Sequence, residues 1–520
     1  MAEEIHDECG IAGVYFFNGS QTKNVVPYLY KMLLNLQNRG QLSAGISTYS
    51  DNRSNIVNTY KEIGTVNEVF HTKDVEETKK IFEKYDGRIG IGHVRYSTFG
   101  LPSRSYAHPF ERKHGRKCKW FSFCFNGNIA NFNELKFKLM EKKEYHMIYN
   151  SDTEIILHYL SVEIGNLLYN NNEENKIPDL KELFSNISKK FDGAYSLAYM
   201  DAEGRLAAVR DPLGIRPLCY SIDDEKVMFA SESVALSHVG CKNIKSLEPG
   251  EILIAENNEV KIERYTSNGK KAHCMFEYIY FSNIASTIEN RSVYEVRTNL
   301  GKELAQLEYL PVNPNEYVVV SVPDSSKPFG EGYAYYFGLP HKEGLVRNRF
   351  VGRTFIEGNG RKDKIKNKFS LIKEVIKGKK VLLMDDSIIR GNTSKNLINY
   401  LRKEGGAKEI HLRISCPAVV SPCFYGIDMS TISELIASKY IKNVGEDIDK
   451  ESSKKLAKEL GADSILYQNI ENIPNAIGIP RKNLCMACID GKYPTEQGKK
   501  LCKKSIENYK LGLNVRTYEG

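Results

Sequence analysis

The sequence predicts two differently built halves, an α+β half to about residue 262 and an α/β half after it, and three observations predict them. The first is length: 520 residues, at about 150 per domain, make two to four domains with ample chain to bury cores. The second is the texture of the first half. Short strand-like runs (IAGVYFF, YSLAYM, LAAV, PLCYS, VMFAS, EILIAE) recur between turn signals, with helical stretches at 25–36 and 153–168. The third is a change after residue 275. Runs of the doubly buried kind, YVVVSV at 317–322, VLLM at 381–384 and IHLRI at 410–414, alternate there with amphipathic stretches, as a parallel sheet covered by helices requires. The Asn- and Glu-rich stretch 170–176 reads as an exposed loop, and 451–520 as a Lys-rich helical segment around a CMAC island.

Composition excludes several classes. Apolar residues at 41% and charged residues at 27% sit near the globular norms of about 45–50% and 25%, so the chain is neither fibrous nor wholly disordered. A net charge of +8, from 73 basic and 65 acidic residues, suits an anionic ligand but is too dilute to indicate DNA or a membrane. No basic stripe with interleaved aromatics marks a nucleic-acid face. Eleven Cys without a regular framework argue for a reducing compartment and for metal or catalytic use, hence a cytoplasmic protein. The acidic start MAEEIHDECG lacks the marks of a signal or transit peptide. No apolar run approaches the roughly 18 residues of a transmembrane helix, so neither membrane nor nucleic acid is an expected partner.

The densest motif is VLLMDDSIIRGNTS, 381–394. Four apolar residues end in Asp385 and Asp386, and a short loop through Arg390 and Gly391 leads by Thr393 and Ser394 into a helix. Ligands of open α/β sheets bind at strand carboxyl ends, and helix-start N–H groups suit phosphate. Adjacent carboxylates there can take vicinal sugar hydroxyls and help place Mg²⁺; an acidic pair before a polar turn is also a common solvated loop. In the first half, Cys9 opens the apolar run CGIAGVYFF, where a thiol is either a buried inert side chain or a nucleophile.

These stretches carry resemblances. Residues 381–394 resemble the 5-phosphoribosyl-1-pyrophosphate (PRPP) signature of type I phosphoribosyltransferases. VPDSSKPFG (322–330) looks like that family's pyrophosphate loop, which puts Asp324, Ser325 and Ser326 near the diphosphate and Mg²⁺. GLVRNRFVGRTFI (344–356) looks like its closing loop, with Arg349 and Arg353 for the phosphates; a solvated basic loop is the bland alternative. QNRGQLSAGIS (37–47), GHVRYSTFG (92–100), FNGNIANFNEL (125–135), SDTE (151–154), FDGAYSL (191–197) and RDPLGIRPL (210–218) together resemble the glutaminase domain of N-terminal-nucleophile (Ntn) amidotransferases.

Both halves together are similar to one family, the glutamine PRPP amidotransferases, from Cys9 to about Thr495; HCMFEYIYFSN (273–283) and PCFYGIDMSTISELIAS (422–438) share the likeness. The resemblance implies an Ntn αββα-sandwich glutaminase domain at 9–262 after a propeptide at 1–8, and a type I phosphoribosyltransferase domain at 263–450. It implies synthesis of 5-phosphoribosylamine from PRPP, glutamine and water, with ammonia channelled between sites, purine nucleotides as feedback inhibitors, and a homotetramer. Cys9 is then the nucleophile, its freed α-amine the base. Asn126 and the Gly127 N–H are the oxyanion donors, Arg95 meets the glutamine α-carboxylate and Asp152 its α-ammonium, while Arg39 and Gly40 support the pocket. Bland alternatives are a surface ion pair for Arg95 and a helix N-cap for Asp152. PRPP falls to Asp385, Asp386, Arg390, Gly391, Thr393, Ser394, Arg349 and Arg353, and Mg²⁺ to Ser325, Asp385 and Asp386.

A lone CxxC is weak by itself, since a redox pair or chance spacing looks the same. In the family's iron–sulfur subset, which also carries a propeptide, the ligand contexts match Cys274, Cys423, Cys485 and Cys488, implying a 4Fe-4S cluster; zinc is the chemical alternative. The sequence departs from the family at Asn38, Leu42, Phe350, FSNIAS and the loop continuation SKPFGEGYA, none of them a group assigned to bond breaking.

Overall fold

The computed structural model describes residues 9–21, 24–96, 103–142, 145–170, 177–266, 269–348, 363–441 and 443–517. The first half stacks two antiparallel sheets. One has the spatial order Lys245–Ser246, Cys219–Ile222, Lys226–Ala230, Gly10–Phe16, Ile89–Arg95, Ser43–Tyr49, Val57–Ile63. The other runs Glu259–Arg264, Glu251–Glu256, Leu206–Arg210, Gly193–Asp201, Phe121–Ile129, Phe110–Arg112.

Period-two alternation sorts the side chains into layers. Ile11 and Tyr15 face Cys124, Ala198 and Met200 between the sheets, while Ala12, Val14 and Phe16 face the helix Val26–Asn35. On the second sheet Phe121, Phe123 and Phe125 turn outward under the helices Asp152–Asn170 and Leu180–Ser188. Helix, sheet, sheet, helix is the αββα sandwich. Its amphipathic elements form because each buries one face, about 1.5–3 kcal/mol for every large apolar side chain.

The second half holds a parallel sheet in the order Tyr317–Ser321, Lys380–Asp385, Glu409–Ile414, Ser464–Tyr467. Val318, Val320, Val381 and Leu383 pack under Leu397, Ile398 and Leu401 of the helix Asn392–Lys403. Val319, Leu382 and Met384 face Val296, Leu300 and Phe329 on the other side. Covered on both faces, the strands need the unbroken apolar runs they have.

Two expected boundaries differ from the fold. The outer strand Glu259–Arg264 runs past 262, and Ser464–Tyr467, inside the stretch expected to be a helical segment, is the edge strand of the parallel sheet. Pairing decides this: SILY is too short and weakly patterned to announce a strand until Ile414 aligns with Tyr467. Residues 171–176 of the expected loop lie outside the described residues.

The halves are stitched by buried charge. Arg39 Nε donates to Glu232 Oε1 at 2.6 Å and Nη2 to Glu277 Oε2 at 2.6 Å, with all three side chains almost wholly buried. Arg216, from RDPLGIRPL, reaches Glu277 and donates to the Tyr425 carbonyl, while Asp211 accepts from the Leu213 and Ile215 amides to hold the turn. Breaking one partner of such a pair costs about 3–5 kcal/mol, because a bare charge is left inside.

Candidate functional site

Cys9 stands just ahead of the central strand Gly10–Phe16, beside the end of Ile89–Arg95, and its thiol donates to the Tyr96 carbonyl at 3.9 Å. Asn126 and Gly127 lie on the facing sheet, in Phe121–Ile129. Asn126 is 1% exposed, and its Nδ2 has no hydrogen-bond partner among the described residues. A buried orphan donor costs about 1–3 kcal/mol and calls for an explanation such as an arriving acceptor. Gly127 has φ +146°, and a Cβ there would sit 1.9 Å from the Ala194 carbonyl oxygen, so only glycine fits.

Arg95 is 6% exposed; burial pulls its guanidinium below the usual range, while Cys9, Asp152 and Tyr106 act in the opposite sense. Cys9 and Asp152, both expected at the glutamine pocket, therefore lie within electrostatic reach of Arg95. Burial pushes the Asp152 carboxyl up to about 6, against the amides of Thr153 and Ile129 and the charge of Arg95. An ammonium group arriving beside Asp152 favours its ionised form.

Asp152 is the first residue of its helix, and the cap is Ser151, whose Oγ accepts from the Glu154 amide at 3.3 Å. Glu154 in turn accepts from the Ile148, Tyr149 and Asn150 amides at 2.6–2.9 Å, pinning the loop that delivers Asp152. Arg39 lies lengthwise beside the nucleophile: its Cδ would be 3.3 Å from a Cβ on Gly10, while its head is taken up by Glu232, Glu277 and Ser282. Gly40 packs against the Arg95 backbone, 2.5 Å from where a Cβ would be.

Behind this pocket two buried imidazoles stack, His93 on His108, with centroids 4.3 Å apart. His93 Nε2 meets the Phe125 carbonyl at 3.1 Å and His108 Nε2 meets Thr153 Oγ1 at 3.3 Å, so the pair spans the residues preceding Asn126 and following Asp152. Burial pulls His93 down to about 3, and His108 well below its usual value, helped by Arg95 and Lys61. The unfolded chain takes up protons below about 6.5, which the folded pair refuses until far lower pH. Stability is thus full above 6.5 and is lost as pH falls toward the folded values, by up to about 1.4 kcal/mol per pH unit for each histidine. Urea titrations from pH 7.5 to 4.5 should show His108→Gln removing about one proton from this slope; an unchanged slope excludes the pair as its source.

In the other half, Asp385 ends its strand and Asp386 follows, 7% exposed. The expected pyrophosphate loop meets them: Ser325 Oγ donates to Asp386 Oδ2 at 2.6 Å and Ser326 Oγ to Asp385 Oδ1 at 3.5 Å. Gly391, at φ +79°, is the N-cap of Asn392–Lys403, and Thr393 and Ser394 lie in that helix's first turn. Arg390 pairs with Glu434. Asp324 is exposed beside Lys327 and Arg347. Arg349 and Arg353 lie outside the described residues.

Arg297, which the sequence reading missed, is 2% exposed and donates to the carbonyls of Tyr278 and Ser282 at 2.9 and 2.8 Å. Its contact with the Ser325 carbonyl at 3.5 Å links the junction segment to the loop beneath Asp386. Arg297, Glu232 and Glu277 were illegible because their partners are distant in sequence, 193 residues for Arg39 and Glu232. No local spacing signals such a pair.

The four singled-out thiols are all buried. Cys274 pairs in register with Cys485 in a two-stranded parallel ladder, Cys488 lies in the turn Ala487–Asp490, and Cys423 Sγ accepts from the Tyr425 amide at 3.4 Å. Burial pushes Cys485 up to about 12 and lifts Cys488 well above the ordinary thiol range; Cys416, Cys423, Cys274 and Cys485 all reinforce the shift at Cys488. Among the described residues no group of three or more His, Cys, Asp or Glu is placed to hold one metal ion, and no helix is long and apolar enough to cross a membrane.

Residues 97–238 match a family model described as a glutamine amidotransferase domain. The amidophosphoribosyltransferase of Methanothermobacter thermautotrophicus is 39% identical over 498 residues, 95% of each chain, and that of Bacillus subtilis 34% identical over 500 residues, also 95% of each. A solved structure of the B. subtilis glutamine PRPP amidotransferase complexed with ADP and GMP is 33% identical with TM-score 0.79, covering 94% of this chain and 98% of its own.

Proposed function

The chain belongs to the amidophosphoribosyltransferase family, and from that premise we propose how its own residues divide the reaction. The enzyme makes 5-phosphoribosylamine from PRPP, glutamine and water, releasing glutamate and pyrophosphate, the committed step of purine nucleotide synthesis. Its fold is an Ntn glutaminase domain joined to an α/β phosphoribosyltransferase domain.

Removal of residues 1–8, which lie outside the described residues, frees the Cys9 α-amine. With an ordinary value near 7.7–8.0, that amine accepts the thiol proton as sulfur attacks the glutamine side-chain carbonyl. The proton passes to the departing ammonia, water then hydrolyses the thioester, and glutamate leaves. Asn126 Nδ2 and the Gly127 N–H take the oxyanion; the partnerless Nδ2 is the observation that carries this assignment. Arg95 forks onto the substrate α-carboxylate and Asp152 takes its α-ammonium, with Arg39 as a positioning residue. Ammonia passes between the two sites and attacks C1 of PRPP, displacing pyrophosphate.

Asp385 and Asp386 hold the ribose hydroxyls, and Gly391, Thr393 and Ser394 the 5-phosphate; Arg349 and Arg353 are kept as closing-loop partners of the diphosphate. Ser325, Asp385 and Asp386 form a hard oxygen set that fits Mg²⁺, which when bound neutralises diphosphate charge. The four thiols fit a 4Fe-4S cluster: they are buried, burial disfavours the thiolate at Cys485 and Cys488 until a cation compensates it, and an amide points at Cys423. Zinc is the chemical alternative for the same four thiols. Purine nucleotides as feedback inhibitors and a homotetramer complete the reading.

The test is glutamate, pyrophosphate and metal content of anaerobically purified protein, with and without PRPP and Mg²⁺. Equal, PRPP-dependent release of both products with about four irons per chain is expected. Glutamate release indifferent to PRPP overturns the coupling, and stoichiometric zinc in place of iron overturns the cluster.

A further inference from the structure

The phosphate loop 385–391 is held from outside by a segment that the reaction scheme leaves without a role. Glu434 accepts on Oε2 from Arg390 Nε at 2.8 Å, and Arg390 Nη2 donates to the same oxygen. Its other oxygen accepts from the amides of Ser430 and Thr431 at 3.1 and 2.8 Å, so this carboxylate joins two loops and cannot swing away alone. One step along, the Ile436 amide donates to the Ile389 carbonyl at 2.8 Å, and Ile436 Cδ1 packs 2.6 Å from where a Cβ on Gly391 would stand. The loop is thus pinned at 389, 390 and 391 by residues 434–436.

That segment is held in turn by the C-terminal tail. Arg516 Nη2 meets Asp428 Oδ1 at 3.2 Å, Ser433 Oγ donates to Asn514 Oδ1 at 2.5 Å, and Thr517, 2% exposed, shares a hydrogen bond with Ser505 at 2.7 Å. The contacts run from the tail through 428–434 to Arg390, the residue before the helix cap Gly391.

We propose that Glu434 is a positioning residue for PRPP, acting through the two hydrogen bonds that one of its oxygens accepts from Arg390 and that fix the phosphate loop, and that the tail residue Arg516 steadies this grip. Arg390 is then an anchor of the loop more than a ligand of the phosphate. The proposal rests on reading 381–394 as the PRPP site.

The experiment is steady-state kinetics of the full-length enzyme with calorimetric PRPP binding in the presence of Mg²⁺. Glu434→Gln keeps the size but loses the charge, and with one acceptor oxygen it can serve the Ser430 and Thr431 amides only by turning its NH₂ toward Arg390, which breaks the grip. It should raise the KM for PRPP about tenfold, as loss of charge-assisted hydrogen bonds implies, with kcat and the glutamine KM within about twofold. Arg516→Ala, at the surface, should raise it about threefold, a check that does not depend on Glu434→Gln folding well. Adding Glu434→Gln to Arg390→Gln should change the PRPP KM less than twofold, because one contact cannot be lost twice. A PRPP KM unmoved in both single variants, or full additivity with Arg390→Gln, overturns the proposal alone. Wild-type protein that does not bind PRPP overturns the site reading beneath it.

Discussion

Cys9→Ala is expected to abolish glutamine-dependent synthesis of phosphoribosylamine, by about 10⁴-fold or more, while synthesis from free ammonium ion persists. The size follows from the role: with no thiol there is no thioester, and loss of a nucleophile removes most of the barrier lowering that its partners supply as a unit. The persistence follows from the architecture. Cys9 lies at the head of the first sheet, and Asp385 and Asp386 end a strand of a different sheet with its own core. Parallel assays with glutamine and with ammonium chloride at high pH check both parts. Equal loss with the two nitrogen sources would sink the assignment of Cys9 to the glutaminase step. Glutamine activity surviving in Cys9→Ala would move the nucleophile elsewhere.

The second large effect is expected at the acidic pair. Asp386→Asn should weaken PRPP binding about 100-fold, and Asp385→Asn by a comparable amount, since each removes a charged acceptor from the site proposed to hold both a sugar diol and a cation. The amide is preferred to alanine because Asp386 Oδ2 accepts from Ser325 Oγ and its charge supports buried Arg297. An amide oxygen keeps the first contact, so a loss of affinity reports the charge and not a collapsed loop. Calorimetry with PRPP and Mg²⁺, beside thermal melts, separates the two. Unchanged binding in both variants would reject the pair as the sugar site. Glutaminase activity measured without PRPP should survive in both, because neither side chain touches the Cys9 pocket.

Much of this molecule is legible in one dimension, and the reason differs from element to element. The doubly buried runs at 317–322, 381–384 and 410–414 announce a parallel sheet because helices on both faces leave no polar side. Gly127 was legible only as a candidate N–H donor; that its φ of +146° and the Ala194 carbonyl exclude any side chain is visible only in the fold. The loop SDTE was legible as a helix start, yet which residue caps it was not: Ser151 accepts the amide and Asp152 is left to face Arg95. Both choices satisfy the same local rule, and only the packing of Arg95 beside it separates them.

What the sequence by itself determined is the order of elements along the chain: a thiol at the head of a strand, the apolar run that ends in FNGN, an acidic helix start at SDTE, and a polar loop between strand and helix at 385–391. These are set by local backbone geometry, which a few neighbouring residues specify. What only the tertiary structure decided is how the pieces are held: Arg39 between Glu232 and Glu277, Arg297 between the junction and Ser325, His93 on His108, Glu434 on Arg390. Each joins residues 15 to 238 positions apart. A buried charge or imidazole is tolerated only where a partner compensates its lost water, and that partner is chosen by the fold, not by spacing along the chain.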